Sequence, residues 1–373
     1  VARIGGDEFA ILLDDIKDPT DATEVSDRIQ QQLALPLDLH GRDIATTASI
    51  GIAFSSRAHE SSEDPLRDAD TALYRAKALG KDRSTVFDTA MRARMVALLE
   101  SEADLRHAAE RGELRLHYQP IMSLKTGELV RVEALLRWQH PRRGLLPPAE
   151  FLTIAEESGL IVPIGAWVLH TACAQARHWH DAGLPTAMAV NVSAHQLDRG
   201  DLGEVVARTL EETGLPAGYL ELELTESAVM EDVGRAIATL EGLKALGVKI
   251  AVDDFGTGYS SLSYLTRLPV DSLKIDRSFV RDLMTDRTSE LVTKAVVDLA
   301  HNLDLRVTAE GADTPGHVAY LRSLGCDEVQ GYLIGYPVPA DELLPLLRGR
   351  QRLWPQTTVA RLVLAAGANG KSP

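Results

Sequence analysis

Between residues 113 and 350 short apolar runs alternate with longer amphipathic stretches, and this alternation constrains the fold more than any other feature. Strand-like runs include ELVRV, TAMAV, YLELELTES, VKIAV, DSLKID, RVTA and CDEV. Between them lie helical patterns: PAEFLTIAEESGL, GAWVLHTACAQARHWHDAG, LGEVVARTLEETG, VGRAIATLEGLKALG and TSELVTKAVVDLAHNL. Such alternation means βα units with right-handed crossovers. At roughly 240 residues, an α/β fold closed into a barrel of about eight units is expected rather than a small open sheet. The first runs, LRLHYQPIMSL and ELVRVEALLRW, flank Thr126-Gly127 and read as antiparallel, which predicts a modified barrel.

These runs end on polar residues. Glu133 follows ELVRV, Glu223 lies in YLELELTES, Asp253 and Asp254 close VKIAV, and Glu310 follows RVTA. Asn191 follows TAMAV, Lys274 sits in DSLKID, and Gln330 follows CDEV. Strand ends of a parallel barrel point to one rim, where side chains distant in sequence meet. Each like-charged pair about 4 Å apart costs on the order of 4 kcal/mol at an effective dielectric near 20. Acids gathered there require cations, so the pattern predicts a metal site and with it a hydrolase.

A net charge of −15 argues against a DNA or RNA duplex binder that relies on phosphate neutralisation. It leaves a small phosphorylated ligand open, because metals supply positive charge locally. No stretch reaches the roughly 18 apolar residues of a membrane span. The chain starts at Val1 inside an apolar run, so it reads as a piece of a longer protein whose anchor, if any, lies upstream. Cys173 and Cys326 lack CxxC spacing, fit a reducing, cytoplasmic compartment, and are expected to pack as small apolar residues.

Residues 1–88 read as a short α/β segment, with RIGGDEFAILLDD a hairpin about its Gly-Gly turn. DATEVSDRIQQQL and DPLRDADTALYRAKALG are helical, the second ending at Gly80, and IATTASIGIAF is strand-like. Such a piece is short for a complete core. In residues 89–112, Met91, Met95, Leu98, Leu105 and Ala109 recur at helical spacing without proline, which predicts a connecting helix ended by Gly112. Residues 351–373 read as a peripheral, disordered tail.

The strings Glu133-Ala134-Leu135-Leu136-Arg137, NVSAHQL, ELTES, DDFGTGYSSL, LKIDRSFV, AEG and QGYLIGYPVP occur in order. Together they resemble the EAL-domain family of bacterial cyclic di-GMP phosphodiesterases over essentially all of residues 100–348. The resemblance implies a modified TIM barrel, two divalent cations (Mg²⁺ or Mn²⁺), and hydrolysis of cyclic di-GMP to linear pGpG. Oxygen donors without a His/Cys cluster suit such hard ions, and a metal pair holds a hydroxide and stabilises the leaving oxygen. By resemblance, Glu133, Asn191, Glu223, Asp253 and Asp254 match metal-binding positions, with Asp253 placed to bridge. Glu310 matches a position that joins the metal or its water shell. Lys274 matches the lysine beside the nucleophilic water, which it orients or deprotonates, and Gln330 a position near it. Arg137 resembles a substrate-phosphate contact, and Gln119 in HYQPI is expected to line the substrate site with Asp254. Glu226 reads as a structural acid tethering the DDFGTGYSS loop, where Gly256 and Gly258 allow tight turns. A homodimer across barrel helices near that loop is also implied.

Two positions depart from the family. Asp313 stands where many members have glutamate, which weakens a hydrogen bond or a water-mediated metal contact. Ile334 replaces a common aromatic, which loosens packing on a guanine. These motivate a second reading, a non-catalytic cyclic di-GMP receptor. The N-terminal strings Gly5-Gly6-Asp7-Glu8-Phe9, TASIGIA and DADTALYRAKALGKDR resemble the second half of a GGDEF diguanylate cyclase domain. Glu8 matches a metal ligand, and Lys77 and Lys81 match phosphate contacts. Without the opening strands this fragment is expected to be inert, with GTP binding belonging only to a full-length domain. The intact GGDEF string motivates a third reading, a diguanylate cyclase whose barrel only regulates it.

Overall fold

The computed structural model describes residues 1–14, 16, 18–38, 43–44, 46–55, 61, 63–257 and 262–349. Gly258 and the expected tail lie outside the described residues. The chain divides into two compact units, residues 1–103 and residues 104 onward.

In the first unit Ala2–Gly5 and Glu8–Ala10 form the expected antiparallel hairpin, turning at Gly6 with φ +53°. Asp18 starts the helix Pro19–Leu33 with a capping box. The helix Asp64–Ala78 stops two residues before Gly80. Ile50–Ile52 pairs in parallel with Ser84–Val86. A Cβ on Gly51 would lie 2.0 Å from the Ala69 carbonyl oxygen, so only glycine lets this strand approach the helix. Among the described residues of this unit, only Ala22, Ile52, Ala72 and Ala76 are buried apolar side chains, a small core. The connecting segment is helical over Thr89–Arg106, shorter than expected, with Leu105 and Ala108 buried in the core of the second unit.

The second unit closes eight strands into a ring. They are β1 (Leu114–Ser123), β2 (Leu129–His140), β3 (Ala187–Val192), β4 (Leu220–Thr225), β5 (Lys249–Phe255), β6 (Ser272–Ile275), β7 (Arg306–Ala309) and β8 (Glu328–Val329). They pair in chain order and β8 returns to β1. Neighbours are parallel except at β1, which runs antiparallel to both β2 and β8. The β1–β2 turn carries Gly127 at φ +71°, as the Thr126-Gly127 pair predicts.

Alternation along each strand sorts the two faces. Val132, Val190, Leu222, Leu224, Val252, Leu273, Val307 and Val329 join one apolar core with residues of the surrounding helices, which include Ile161–Asp181, Leu202–Thr213, Val233–Ala245 and Arg287–Asn302. Burying each such side chain contributes about 1.5–3 kcal/mol, so closure is driven from outside the ring. The intervening residues face the lumen, and most are polar. Cys173 and Cys326 are free and buried, as expected, and burial pushes both thiols up to about 12. No helix among the described residues is long and apolar enough to cross a membrane.

Candidate metal centre at the barrel rim

Lys274 on β6 has no solvent exposure and stands among four carboxylates. Its Nζ lies 2.7 Å from Glu223, 3.3 Å from Asp253, 2.6 Å from Glu310 and 3.9 Å from Glu133. Glu133 is itself oriented by two amides: Asn191 Nδ2 donates to Oε1 at 2.6 Å and Gln330 Nε2 to Oε2 at 2.5 Å. Gln119, opposite Glu133 in the β1–β2 register, accepts from Gln330 at 3.0 Å and donates to the Gly335 carbonyl at 3.0 Å. It is buried, with both ends of its amide engaged inside the protein.

Asp253 and Asp254 are consecutive, and simple alternation would send them to opposite faces. A register shift between Val252 and Phe255 breaks that rule, and Asp254 takes the left-handed conformation at φ +54°. Both carboxylates thereby reach the rim, where one oxygen each from Asp253, Asp254 and Glu310 lie within 4.8 Å of one another. Asp254 also faces Asp276, which caps the helix Arg277–Asp282 through Ser278 N at 2.9 Å. Asp276 was missed in the sequence; its one sign was a position two residues after Lys274.

Charge in this ring is unbalanced. Burial, then the negative charges of Asp253 and Glu133, raise Glu310 to about 8 against the pull of Lys274. Burial, with Asp253 and Asp276, raises Asp254 to about 6. Burial also holds Glu223 well above the ordinary carboxylate range, whereas Lys274 and the two amides overcome burial to keep Glu133 below it. Burial disfavours the Lys274 ammonium too, but the surrounding acids win and raise it well above its ordinary value. Glu223 Oε1 and Gln330 Oε1 are buried without a hydrogen-bond partner among the described residues. An oxygen-only donor set with spare buried acceptors and excess negative charge fits hard divalent cations.

Glu226 Oε2 accepts from Gly256 N at 2.9 Å, the loop tether expected of it. Arg137 lies on the hairpin two pleats past Glu133, half-buried, donating to the Leu136 carbonyl and forming no ion pair with the acids among the described residues. Asp313 Oδ1 accepts from Tyr332 N at 2.8 Å, so the shorter acid still holds the QGY segment. Ile334 is buried in the apolar core. The exposed aromatics there are Tyr332 and Tyr336, stacked with centroids 4.5 Å apart.

Comparison with known proteins agrees with this architecture. Residues 102–337 match the EAL domain, whose members are metal-dependent in general, and residues 1–83 match the diguanylate cyclase GGDEF domain. The bifunctional diguanylate cyclase/cyclic di-GMP phosphodiesterase MucR of Pseudomonas aeruginosa is 42% identical over 345 residues, covering 92% of this chain and 50% of that protein. The cyclic di-GMP phosphodiesterase NbdA of the same organism is 42% identical over 349 residues, covering 93% and 44%. The chain thus spans about half the length of the curated relatives it matches. A solved structure of the PaMucR phosphodiesterase in complex with c-di-GMP superposes with a TM-score of 0.64 at 46% identity, covering 65% of this chain and 99% of that one. The chain belongs to the EAL domain family, with a GGDEF domain segment preceding its barrel.

Proposed function

We propose that the barrel hydrolyses cyclic di-GMP to linear pGpG with two divalent cations, Mg²⁺ or Mn²⁺. The observation that carries this is the Asp253, Asp254 and Glu310 carboxylate group beside buried Lys274, in a chain whose relatives include proteins named as cyclic di-GMP phosphodiesterases. Glu133, Asn191, Glu223, Asp253, Asp254 and Glu310 would hold the ions. When bound, such ions polarise the phosphodiester and lower the pKa of water.

The protein's own groups do the rest. Lys274, beside Glu223, Asp253 and Glu310, is placed to orient the attacking water or to take its proton. Gln330 and Asn191 keep the Glu133 carboxylate turned, and Gln119 keeps Gln330 turned. Arg137, above the ring and free of acidic partners among the described residues, offers a guanidinium fork to a substrate phosphate. Glu226 holds the loop after Asp254.

The purified chain is expected to release pGpG from cyclic di-GMP with Mg²⁺ or Mn²⁺, and Glu133→Ala to abolish release. Absence of turnover with either metal sinks the proposal. A non-catalytic cyclic di-GMP receptor is the second reading; loss of the acids would favour it, and all of them are present. The proposal includes a cytoplasmic location and a homodimer through barrel helices near the loop after Asp254, which light scattering tests. GTP binding is assigned only to a full-length GGDEF domain.

A further inference from the structure

One pleat below the rim lies a second polar layer. Arg131 precedes Glu133 by two residues, Glu221 precedes Glu223, Thr308 precedes Glu310 and Glu328 precedes Gln330, so strand alternation stacks the layers in the lumen. The Arg131 side chain, 4% exposed, crosses from β2 to the far wall. Its Nε lies 3.0 Å from Glu221 Oε1 on β4, one Nη donates to Thr308 Oγ1 on β7 at 2.9 Å, and both Nη atoms meet Glu328 on β8. Arg306 closes the layer from the solvent side, 3.0 Å from both Glu221 and Glu328. The corresponding residues of β3, β5 and β6 are Ala189, Ala251 and Ser272, small enough to let the arginine cross. Beneath is a cavity of about 470 Å³ lined by Arg131, Glu221, Lys249, Asp271 and Arg306, so this layer is the floor of the site.

The floor and the rim differ in charge. In the floor two arginines pair with two glutamates, while at the rim four carboxylates surround one lysine. A neutral floor adds no counter-charge, and a buried ion pair adds little stability over packed apolar side chains. What a rigid guanidinium fork supplies, hydrogen-bonded to β7 and β8 and ion-paired with Glu221 on β4, is spacing.

We infer that Arg131 is a positioning residue for the metal-binding ring. By tying β4, β7 and β8 together one pleat down, it sets the separation at which Glu223, Glu310 and Gln330 meet Glu133 and Lys274. This rests on the metal-site part of the proposed function and not on the substrate.

The test uses the whole 373-residue chain. Arg131→Met combined with Glu221→Gln and Glu328→Gln leaves no unpaired charge in the floor, since Arg306 reaches solvent. Mn²⁺ affinity, measured by electron paramagnetic resonance titration, is expected to fall about tenfold or more, as changes behind metal ligands do. The unfolding midpoint stays near the parent's, and kcat falls with KM unchanged. Arg131→Lys, which keeps the charge without the fork, shows a smaller loss of the same kind. Parent-like Mn²⁺ affinity in the folded triple variant overturns the inference. If that variant does not fold, parent-like affinity in Arg131→Lys overturns it instead. A chain that binds Mn²⁺ but leaves cyclic di-GMP intact defeats the proposed activity alone, because the titration reads the ring directly.

Discussion

Replacing Lys274 by methionine, similar in length and content to stay buried, tests the charge reasoning most directly. The lost ammonium lies 2.6 Å from Glu310, 2.7 Å from Glu223, 3.3 Å from Asp253 and 3.9 Å from Glu133. Each contact with an ionised carboxylate is worth about 4 kcal/mol at ~4 Å and a dielectric of ~20, so the gross attraction is large. Desolvation offsets most of it, and removing one partner of a buried pair costs about 3–5 kcal/mol. Without divalent cations, Lys274→Met is therefore expected to lose about 3–5 kcal/mol, read as a lower urea midpoint with an unchanged slope. A cation replaces the missing charge, and a ligand at ~100 times its Kd contributes about 2.7 kcal/mol. Mn²⁺ should therefore raise the variant's midpoint more than the parent's. Turnover stays about 10²-fold below the parent's, because the group that orients the water is not restored. A midpoint in EDTA equal to the parent's, or a Mn²⁺ response no larger than the parent's, refutes the reasoning.

The pH dependence has a definite sign. Glu310 is raised from 4.5 to about 8, so the folded chain keeps a proton that the unfolded chain releases, and stability without divalent cations falls as pH rises through that window. Saturating Mg²⁺ flattens the fall, and urea midpoints independent of pH in EDTA contradict it. Leu222→Ala removes a fully buried side chain from the outer face of β4 and is expected to cost about 2–5 kcal/mol by denaturant unfolding. A cost below about 1 kcal/mol would place Leu222 outside the packed layer. Gly256→Ala forces a Cβ into φ +99° and 3.1 Å from Phe279, costing about 1–2 kcal/mol and loosening the Glu226 tether. Turnover should drop with it, and parent-like turnover would detach the tether from the site.

Much of the site was legible because strand ends gather at one rim whatever the loops do. Glu133, Glu223, Asp253, Lys274 and Glu310 meet there as their positions implied. The β1–β2 hairpin was equally plain from Thr126-Gly127. Asp254 reached the rim too, but through a bulge and a left-handed backbone that strand alternation argues against. Ile334 turns into the core while Tyr332 and Tyr336 beside it are exposed, a division that the QGY string does not encode.

Sequence alone determined the βα alternation, the inverted first hairpin and the identity of the rim side chains. Each follows from local periodicity or a turn residue, which act over a few positions. Only the tertiary structure decided which side chains touch. Lys274 meets Glu223 from 51 positions away, and Arg131 meets Glu328 from 197 away, contacts that no local pattern encodes. Closing the ring turns one face of every strand into a shared lumen, and there a row of separate polar residues becomes a neutral floor beneath an acid-rich rim.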